Sequence, residues 1–337
     1  MSDDIAAARS HPAFAGFSEL LPLSGLSGAE VILMRTRAGS RVVRKMGRDA
    51  ATNRVLKRQA ERQRWLRTVI EDVADVPEVI LEGDADGRYF FDMPFIPSRD
   101  AATFLATADF DEVYDFAERI ESLMAKLSRT GPEPGKWSPP VKRVVDLKLA
   151  EIATRTQGRH TAVMQPLCAA VAALDSLAGV SDEAPTAVHG DLTFENILVG
   201  RKGRLWLIDS IDSPFDHFWL DWSKLFQECE GRWHSHRGRS ISTSVTWYLR
   251  ERWIQAAKRL SPAYGPRHYI LLGLTFARIL PYARSDQDLA FVSSRVHAYG
   301  TAALAATEKG YHEDHRSVRR PLVALPEHAA KMDAPGL

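Results

Sequence analysis

Three polar residues at fixed spacing constrain this chain more than any other feature of its sequence. Residues 189–196 read His-Gly-Asp-Leu-Thr-Phe-Glu-Asn, which places Asn196 five residues after Asp191. Two short apolar runs follow, joined by a turn at residues 201–203, and Asp209 comes directly after the second run. Apolar runs that flank such a turn are typical of a β-hairpin. The second strand should therefore return Asp209 to the neighbourhood of Asp191 and Asn196.

These three side chains match what phosphoryl transfer from a nucleotide requires. One carboxylate, Asp191, would orient the attacking hydroxyl, while the amide oxygen of Asn196 and the carboxylate of Asp209 would hold Mg²⁺ on the phosphates. Asp212 is a competing metal ligand three residues further on. Asp209 is preferred because it immediately follows the apolar strand. A common turn would explain His-Gly-Asp alone, but not its conjunction with the later Asn and Asp.

The segment resembles the catalytic core of the aminoglycoside phosphotransferase and choline kinase family, relatives of the protein kinases. The spacing from Asp191 to Asn196 matches the protein-kinase catalytic loop, and residues 220–225, Leu-Asp-Trp-Ser-Lys-Leu, resemble the family's Asp-containing helix start. The resemblance implies an α+β, two-lobed protein-kinase-like fold with a small β-rich N-lobe and a larger helical C-lobe. It also implies that His189 braces the catalytic loop and that Asp221 supports it.

The same resemblance predicts how the chain is divided. The expected parts are an N-terminal nucleotide-binding lobe over residues 1–93, a hinge over 94–98, a helical C-terminal lobe with the catalytic loop and acceptor site over 99–310, and a tail over 311–337. Apolar residues at helical spacing predict helices near residues 51–70, 110–127, 141–157, 162–178, 241–260, 267–281 and 286–308. A short strand at residues 187–188 should lead into the catalytic loop.

The first strands of the N-lobe should enclose a small-residue turn. Apolar runs at residues 20–23 and 31–34 flank the sequence Ser-Gly-Leu-Ser-Gly. Backbone amides in such a turn could approach phosphates, and Ser27 and Gly28 are the candidate positions. The turn lacks the full G-x-G-x-x-G pattern of protein kinases.

The next strand, at residues 41–46, should carry a phosphate-binding lysine. Period-two geometry puts Val43 and Lys45 on one face and Val42 and Arg44 on the other. The strand resembles the V-A-I-K strand of kinases. This implies that Lys45 pairs with the nucleotide phosphates and that Val43 lies against the base.

A partner for Lys45 should come from the helix over residues 51–70. Glu61 is the natural candidate, sixteen residues after Lys45. Measured back from Trp65, the family's glutamate could equally fall at Gln59, so both positions stay open.

Residues 76–80 and 89–97 should complete the N-lobe and lead out of it. The first segment resembles the hydrophobic-Pro-hydrophobic start of a family strand, and residues 89–97 resemble the strand that runs into the interlobe hinge. Pro94 has no N–H to donate, so it favours a strand end. The resemblance implies that backbone groups over residues 92–96 bond the purine, with Met93, Phe95 and Ile96 as the candidate nucleotide-binding residues.

Two sets of side chains after the catalytic loop could meet the acceptor. Aromatic residues could cage a quaternary ammonium or simply form the lobe core: Phe215, Phe218, Trp219, Trp222, Trp233, Trp247, Tyr248 and Trp253. The basic run at residues 232–239 could meet an anionic acceptor, because arginine matches phosphate and carboxylate geometry, or it could be a solvated loop.

Composition predicts a cytoplasmic enzyme. The 337 residues carry a formal net charge of only +1, which does not favour nucleic-acid or membrane binding. Cys168 and Cys229 form neither a disulfide framework nor a metal-ligand cluster, the acidic start lacks the regions of a signal peptide, and no apolar run is long enough to span a bilayer. The oligomeric state stays open.

The predicted activity is transfer of the γ-phosphate of ATP or GTP, with Mg²⁺, to a small-molecule hydroxyl. By resemblance, the acceptor would be a sugar, an aminoglycoside-like compound or an amino alcohol. One alternative is a Ser/Thr protein kinase, disfavoured because His-Gly-Asp replaces H-R-D and neither D-F-G nor A-P-E appears. Another is a nucleotide-binding pseudoenzyme that acts as a partner-binding module, disfavoured because Asp191, Asn196, Asp209 and Lys45 occur together.

Overall fold

The structure, a computed structural model, describes residues 16–23, 28–135, 141–174, 184–212 and 216–308. Within them the chain forms a small lobe built mainly of strands and a larger one built mainly of helices. The small lobe contains β1 (Phe17–Leu23), β2 (Glu30–Thr36), β3 (Arg41–Met46), α1 (Ala50–Ile70), β4 (Leu81–Ala85) and β5 (Arg88–Pro94). The large lobe contains β6 (Arg99–Asp100), α2 (Ala101–Leu105), α3 (Phe110–Arg129), α4 (Val141–Arg155), α5 (Thr161–Leu174), β7 (Ile197–Val199), β8 (Leu205–Leu207), α6 (Phe218–Cys229), α7 (Trp233–His236), α8 (Thr243–Leu260), α9 (Tyr264–Ala277) and α10 (Asp286–Glu308).

The small lobe is a five-stranded antiparallel sheet with one long helix packed on it. The strand order β1-β2-β3-β5-β4 places β3 in the centre and β1 at an edge, where Pro22 is tolerated because an edge strand leaves donors unpaired. Helix α1 begins with a capping box, in which the Asp49 carboxylate accepts from the Thr52 N–H at 2.8 Å. Leu56 and Ala60 of α1 are buried against the sheet.

The predicted alternation along β3 is confirmed. Val43 packs on the face that meets α1, and Val42 packs on the opposite face. Lys45 donates to Gln59 of α1, while Arg44 forms a buried two-pronged ion pair with Asp92 of β5, with N–O distances of 2.7 and 2.8 Å. The two faces of this strand thus carry a site lysine on one side and a structural arginine on the other.

The large lobe is built around helix α9, which is buried along most of its length. Helices α6 and α10 pack against it, and α5 packs against α10. The apolar stripe predicted for α3 is confirmed by the burial of Phe116, Ile120 and Leu127. A small antiparallel sheet of order β6-β7-β8 carries the predicted hairpin. The predicted two-lobed α+β architecture is therefore confirmed.

Several predicted element bounds need correction. Residues 187–188 are not a strand: the Ala187 N–H donates to the Thr130 carbonyl at 2.7 Å and the Thr186 N–H to the Asp216 carbonyl at 2.9 Å. Because these partners lie on separate segments, no strand ladder forms. Residues 76–80, which resemble the start of a strand, precede that strand: β4 begins at Leu81. The helix predicted at 267–281 is α9, which begins and ends earlier and is followed by a 3₁₀ turn at Leu280–Tyr282.

None of the helices in the described ranges is long and apolar enough to cross a bilayer.

Candidate active site

The catalytic loop is fixed by a buried carboxylate from α6. Asp221 is fully buried and accepts from the backbone N–H groups of His189 and Gly190 at 2.6 and 2.9 Å. Gly190 has a φ of +94°, and a Cβ there would lie 2.5 Å from the Ile211 carbonyl oxygen. Only glycine meets both conditions without strain. Asp221 therefore supports the loop, as the resemblance implies, rather than facing substrate.

His189 braces the loop against the segment that carries Asp209. Its Nε2 donates to the Ile208 carbonyl at 2.9 Å, and its Nδ1 accepts from the Asp191 N–H at 3.3 Å. Burial lowers the pKa of His189 to about 4. The ring is therefore neutral, with its proton on Nε2, which suits a positioning group and not a proton carrier.

Asp191 lies at the meeting point of the loop, and both of its carboxylate oxygens are held. Oδ2 accepts from Asn196 Nδ2 at 3.0 Å, and Oδ1 lies 2.9 Å from Lys224 Nζ. Burial acts to raise the pKa of Asp191, but the charge and hydrogen bond of Lys224 hold that pKa below its usual value. The side chain is still 31% exposed. Asp191 is thus an ionised, oriented carboxylate that is partly accessible to solvent.

The predicted metal ligands Asn196 and Asp209 are brought together by the hairpin. The Ile208 N–H donates to the Asn196 carbonyl at 3.0 Å, which ties the end of β8 to the loop. Asn196 Nδ2 donates to the Asp191 backbone carbonyl at 2.8 Å as well as to the carboxylate. The amide oxygen of Asn196 therefore points away from Asp191. That amide oxygen and the Asp209 carboxylate are hard oxygen donors of the kind that Mg²⁺ takes, together with water and phosphate oxygens.

Asp209 has a strained backbone, with a φ of +61°. This left-handed conformation is uncommon for residues other than glycine, although Asp tolerates it better than most. Such strain is characteristic of functional sites. The competing candidate, Asp212, lies 3.7 Å from both Arg58 and Arg62 of α1, so arginines account for its position.

Lys45 reaches the site from the small lobe. Its side chain is almost fully buried, and its Nζ forms a close ion pair with Asp209 Oδ1 and a 3.1 Å hydrogen bond with Gln59 Oε1. The structure therefore brings Lys45 and Asp209 together across the lobes.

The expectation for Glu61 is wrong, and the alternative Gln59 is the residue that faces Lys45. Glu61 pairs with Arg58 on the outer face of α1, and its side chain is 55% exposed. Gln59 is 5% exposed. The two positions differ by two residues, which is about 200° around a helix of 3.6 residues per turn, so only one of them can point inward.

The candidate base-binding residues lie together. Val43 and Met93 face each other across β3 and β5, and Phe95 packs against the same apolar cluster. Gly28 has a φ of +74°, consistent with a turn, whereas Ser27 lies outside the described residues.

The hinge prediction narrows to one donor. The Asp92 carbonyl accepts from the Ile80 N–H and the Phe95 N–H donates to the Arg41 carbonyl, so these groups are occupied. Over the described ranges the Ile96 N–H has no protein acceptor, so this group can donate to a ligand.

The aromatic set is mainly lobe core. Phe218, Trp219, Trp222 and Trp253 are buried, Trp247 is 54% exposed, and Phe215 lies outside the described residues. The burial of these described members favours a lobe core over a cage.

The basic run is mainly engaged with the protein. Arg232 donates to Thr243, His236 contacts Asp288 at 2.8 Å, and Arg239 lies 3.5 Å from Asp100. These contacts favour a structural loop.

Sequence reasoning missed Lys224. It lies three residues after Asp221 in α6, and residues at that spacing share a helix face. Because Asp221 was expected at the catalytic loop, this spacing was the signal that could have placed Lys224 there too.

Comparisons with solved structures support the fold. An aminoglycoside-3'-phosphotransferase of type VIII is similar with 19% identity and a TM-score of 0.52, covering 89% of this chain and 98% of that one. A putative fructosamine-3-kinase from Thermobifida fusca YX-ER1 is similar with 15% identity and a TM-score of 0.59, and the match covers 89% of this chain and 98% of that one. The protein in the streptomycin-ATP-APH(2")-IIa ternary complex is similar with 14% identity and a TM-score of 0.55, and the match covers 90% of this chain and 98% of that one. No curated protein matches the chain.

A comparison with protein-family models identifies the family as well as the fold. The family model described as "Phosphotransferase enzyme family" matches residues 19–233, well over half of the chain. The matched range includes Lys45, Asp191, Asn196 and Asp209. The chain belongs to the phosphotransferase enzyme family.

Proposed function

We propose that this phosphotransferase transfers the γ-phosphate of ATP or GTP, with Mg²⁺, to a hydroxyl of a small molecule. The acceptor classes implied by the family resemblance are sugars, aminoglycoside-like compounds and amino alcohols. The observation that carries the proposal is Asp191, an ionised and partly exposed carboxylate fixed through both oxygens beside the two metal-ligand candidates.

The proposal gives each side chain of the site a role. Asp191 orients the acceptor hydroxyl and receives its proton as the acceptor oxygen bonds the γ-phosphorus and the bond from that phosphorus to the leaving nucleoside diphosphate breaks. Asn196 and Asp209 hold Mg²⁺, which when bound would neutralise charge on the phosphates. Lys45 contacts the phosphates from the small lobe, and the apolar cluster around Val43 and Met93 receives the base.

The catalysis proposed here is mainly positioning. The Asp221 carboxylate, the His189 ring and the Gly190 backbone fix the loop before substrates bind. Prepaid orientation of this kind lowers the barrier without any covalent intermediate on the protein.

The similar structures support nucleotide use and a small acceptor. One of them is a ternary complex with ATP and streptomycin, and another is a putative fructosamine-3-kinase. Those ligands and activities belong to those proteins. For this chain they motivate testing ATP and GTP with small hydroxyl compounds.

The test is nucleotide consumption with and without acceptors, with products identified by mass. The proposal predicts Mg²⁺-dependent consumption of ATP or GTP that rises with an acceptor and yields that acceptor with one added phosphoryl group. A Ser/Thr protein kinase would instead label a protein or peptide. A pseudoenzyme would bind nucleotide without consuming it, and either result would contradict the proposal.

A further inference from the structure

Two cations, one in α6 and one at the C-terminus of α9, belong to helices that pack against each other next to Asp191. Lys224 Nζ contacts Oδ1 of Asp191, whereas Asn196 occupies Oδ2. Lys45, the candidate phosphate-binding cation, pairs instead with Asp209. Lys224 therefore lies at the carboxylate oxygen of Asp191 that Asn196 does not occupy.

Arg278 is the second cation. It caps the C-terminus of α9, three residues after Thr275, which is nearly one helical turn. The Thr275 and Ser223 hydroxyls are 2.9 Å apart and tie α9 to α6 next to Lys224. The charge of Arg278 also contributes, after the larger effects of burial and Lys224, to the pKa of Asp191.

The Arg278 guanidinium acts on nearby carboxylates through its charge. Across the described ranges it makes no hydrogen bond or ion pair through its side chain, although the residue is half-buried. Glu151, the other carboxylate that senses its charge, is bonded to Lys148 at 2.6 Å. A partly buried cation without a partner is unfavourable unless a ligand supplies one.

Nearby carboxylates do little to cancel these charges. Glu228 lies one turn beyond Lys224 in α6, and burial, followed by the charge of Glu195, raises the pKa of Glu228 to about 8. Glu228 is thus mostly neutral at pH 7. Glu195 is the other acid of the loop besides Asp191.

We propose that Lys224 and Arg278 bind an anionic group, a carboxylate or a phosphate, on the acceptor whose hydroxyl Asp191 orients. The guanidinium fork matches the geometry of either anion. Lys224 also neutralises Asp191, so an anion can approach that carboxylate without strong repulsion. The inference rests on the proposed function and narrows its acceptor class to hydroxy acids and phosphorylated hydroxyl compounds.

The first experiment sorts acceptors by charge. A small-molecule cell extract, treated with charcoal to remove nucleotides, is separated on ion exchangers at neutral pH into anionic, neutral and cationic pools. Each pool is incubated with the full-length enzyme, Mg²⁺ and γ-labelled ATP or GTP. The inference predicts labelled product from the anionic pool. Product from only the neutral or cationic pool would overturn it while supporting the proposed function, and no product from any pool would count against both.

The second experiment uses the acceptor pool that is active. Arg278→Met should raise KM for the acceptor roughly tenfold or more, the loss expected for one charge-assisted hydrogen bond, while KM for the nucleotide stays unchanged. Arg278→Lys should restore part of the affinity. Arg284→Met, at an exposed arginine nearby, is the matched control and should behave as wild type. An unchanged acceptor KM in Arg278→Met would overturn the role of Arg278.

Discussion

The site contains two lysine–aspartate pairs that differ in origin and surroundings. Lys45 comes from a central strand of the small lobe, is nearly fully buried and also bonds Gln59. Lys224 comes from helix α6 of the large lobe, is 12% exposed and contacts Asp191. The first pair involves the candidate metal ligand and the second involves the candidate base. We infer that the first pair serves nucleotide binding and that the second pair serves the acceptor.

The largest expected effect concerns the aspartate of the first pair. Asp209→Asn removes an anionic oxygen ligand and should lower turnover at least about 100-fold, because even groups that only support metal ligands cost 10–100-fold when mutated. Asp212→Asn is the matched control, since Asp212 faces Arg58 and Arg62. Steady-state kinetics over a range of Mg²⁺ concentrations measures both. An active Asp209→Asn beside a dead Asp212→Asn would reverse the assignment.

The next prediction separates binding from stability on β3. Lys45→Ala should weaken nucleotide binding by roughly 10- to 100-fold, the loss of one charge-assisted contact, with little change in stability because Asp209 is 34% exposed. Arg44→Ala leaves buried Asp92 unpaired and should cost about 3–5 kcal/mol of unfolding free energy. Calorimetric titration and urea unfolding of both variants provide the measurement. Equal losses of nucleotide affinity would break the comparison.

These two residues show what could be predicted from the sequence. Strand alternation has only two faces, so period two was enough to separate Lys45 from Arg44. Helical register offers more positions, and α1 is polar on both sides: Gln59 and Arg62 are buried while Glu61 is exposed. The family's glutamate therefore predicts Glu61, whereas Gln59 is the residue that faces Lys45.

Contacts between segments that lie far apart in the chain could not be predicted. Arg62 of α1 donates to the Val188 carbonyl at 2.6 Å, and the Ser223–Thr275 contact joins α6 to α9. Neither follows from local pattern, because each depends on how helices far apart in the chain are packed. The hairpin that returns Asp209 to the loop was predictable because it is local.

A smaller effect is expected for the partner of Lys45. Gln59→Ala removes one hydrogen bond and should reduce nucleotide affinity by a few-fold, in line with about 1 kcal/mol for a neutral acceptor. Glu61→Ala breaks only a surface pair and should change affinity little. If competition binding gave the reverse ranking, the assignment of Gln59 would fail.

The pH dependence of stability tests the burial of Glu228 in α6, the helix that also carries Lys224. The folded state keeps Glu228 protonated up to its raised pKa of about 8, whereas an unfolded glutamate ionises near 4.5. The unfolded state therefore binds fewer protons in this window, so stability falls as pH rises through it.

The range between pH 7 and pH 8 isolates this effect. The pKa of Asp221, raised by burial to about 7, has a similar influence mainly below that range. Glu228→Gln should therefore flatten the decline in urea midpoint from pH 7 to pH 8. A decline as steep as in the wild type would show that Glu228 is ionised in the fold.

The most direct test of these separate roles is the variant Asp191→Asn. Acceptor phosphorylation and Mg²⁺-nucleotide affinity are both measured on the same purified protein. Asparagine keeps the shape of the side chain but loses its charge and its capacity to take a proton. The account predicts that transfer falls by about 10²–10⁴-fold, as for removal of a general base. Nucleotide affinity should stay near wild type because Lys45, Asn196 and Asp209 remain. A destabilised variant with near-normal turnover per folded molecule would contradict the account, since Asp191 would then be only a turn residue.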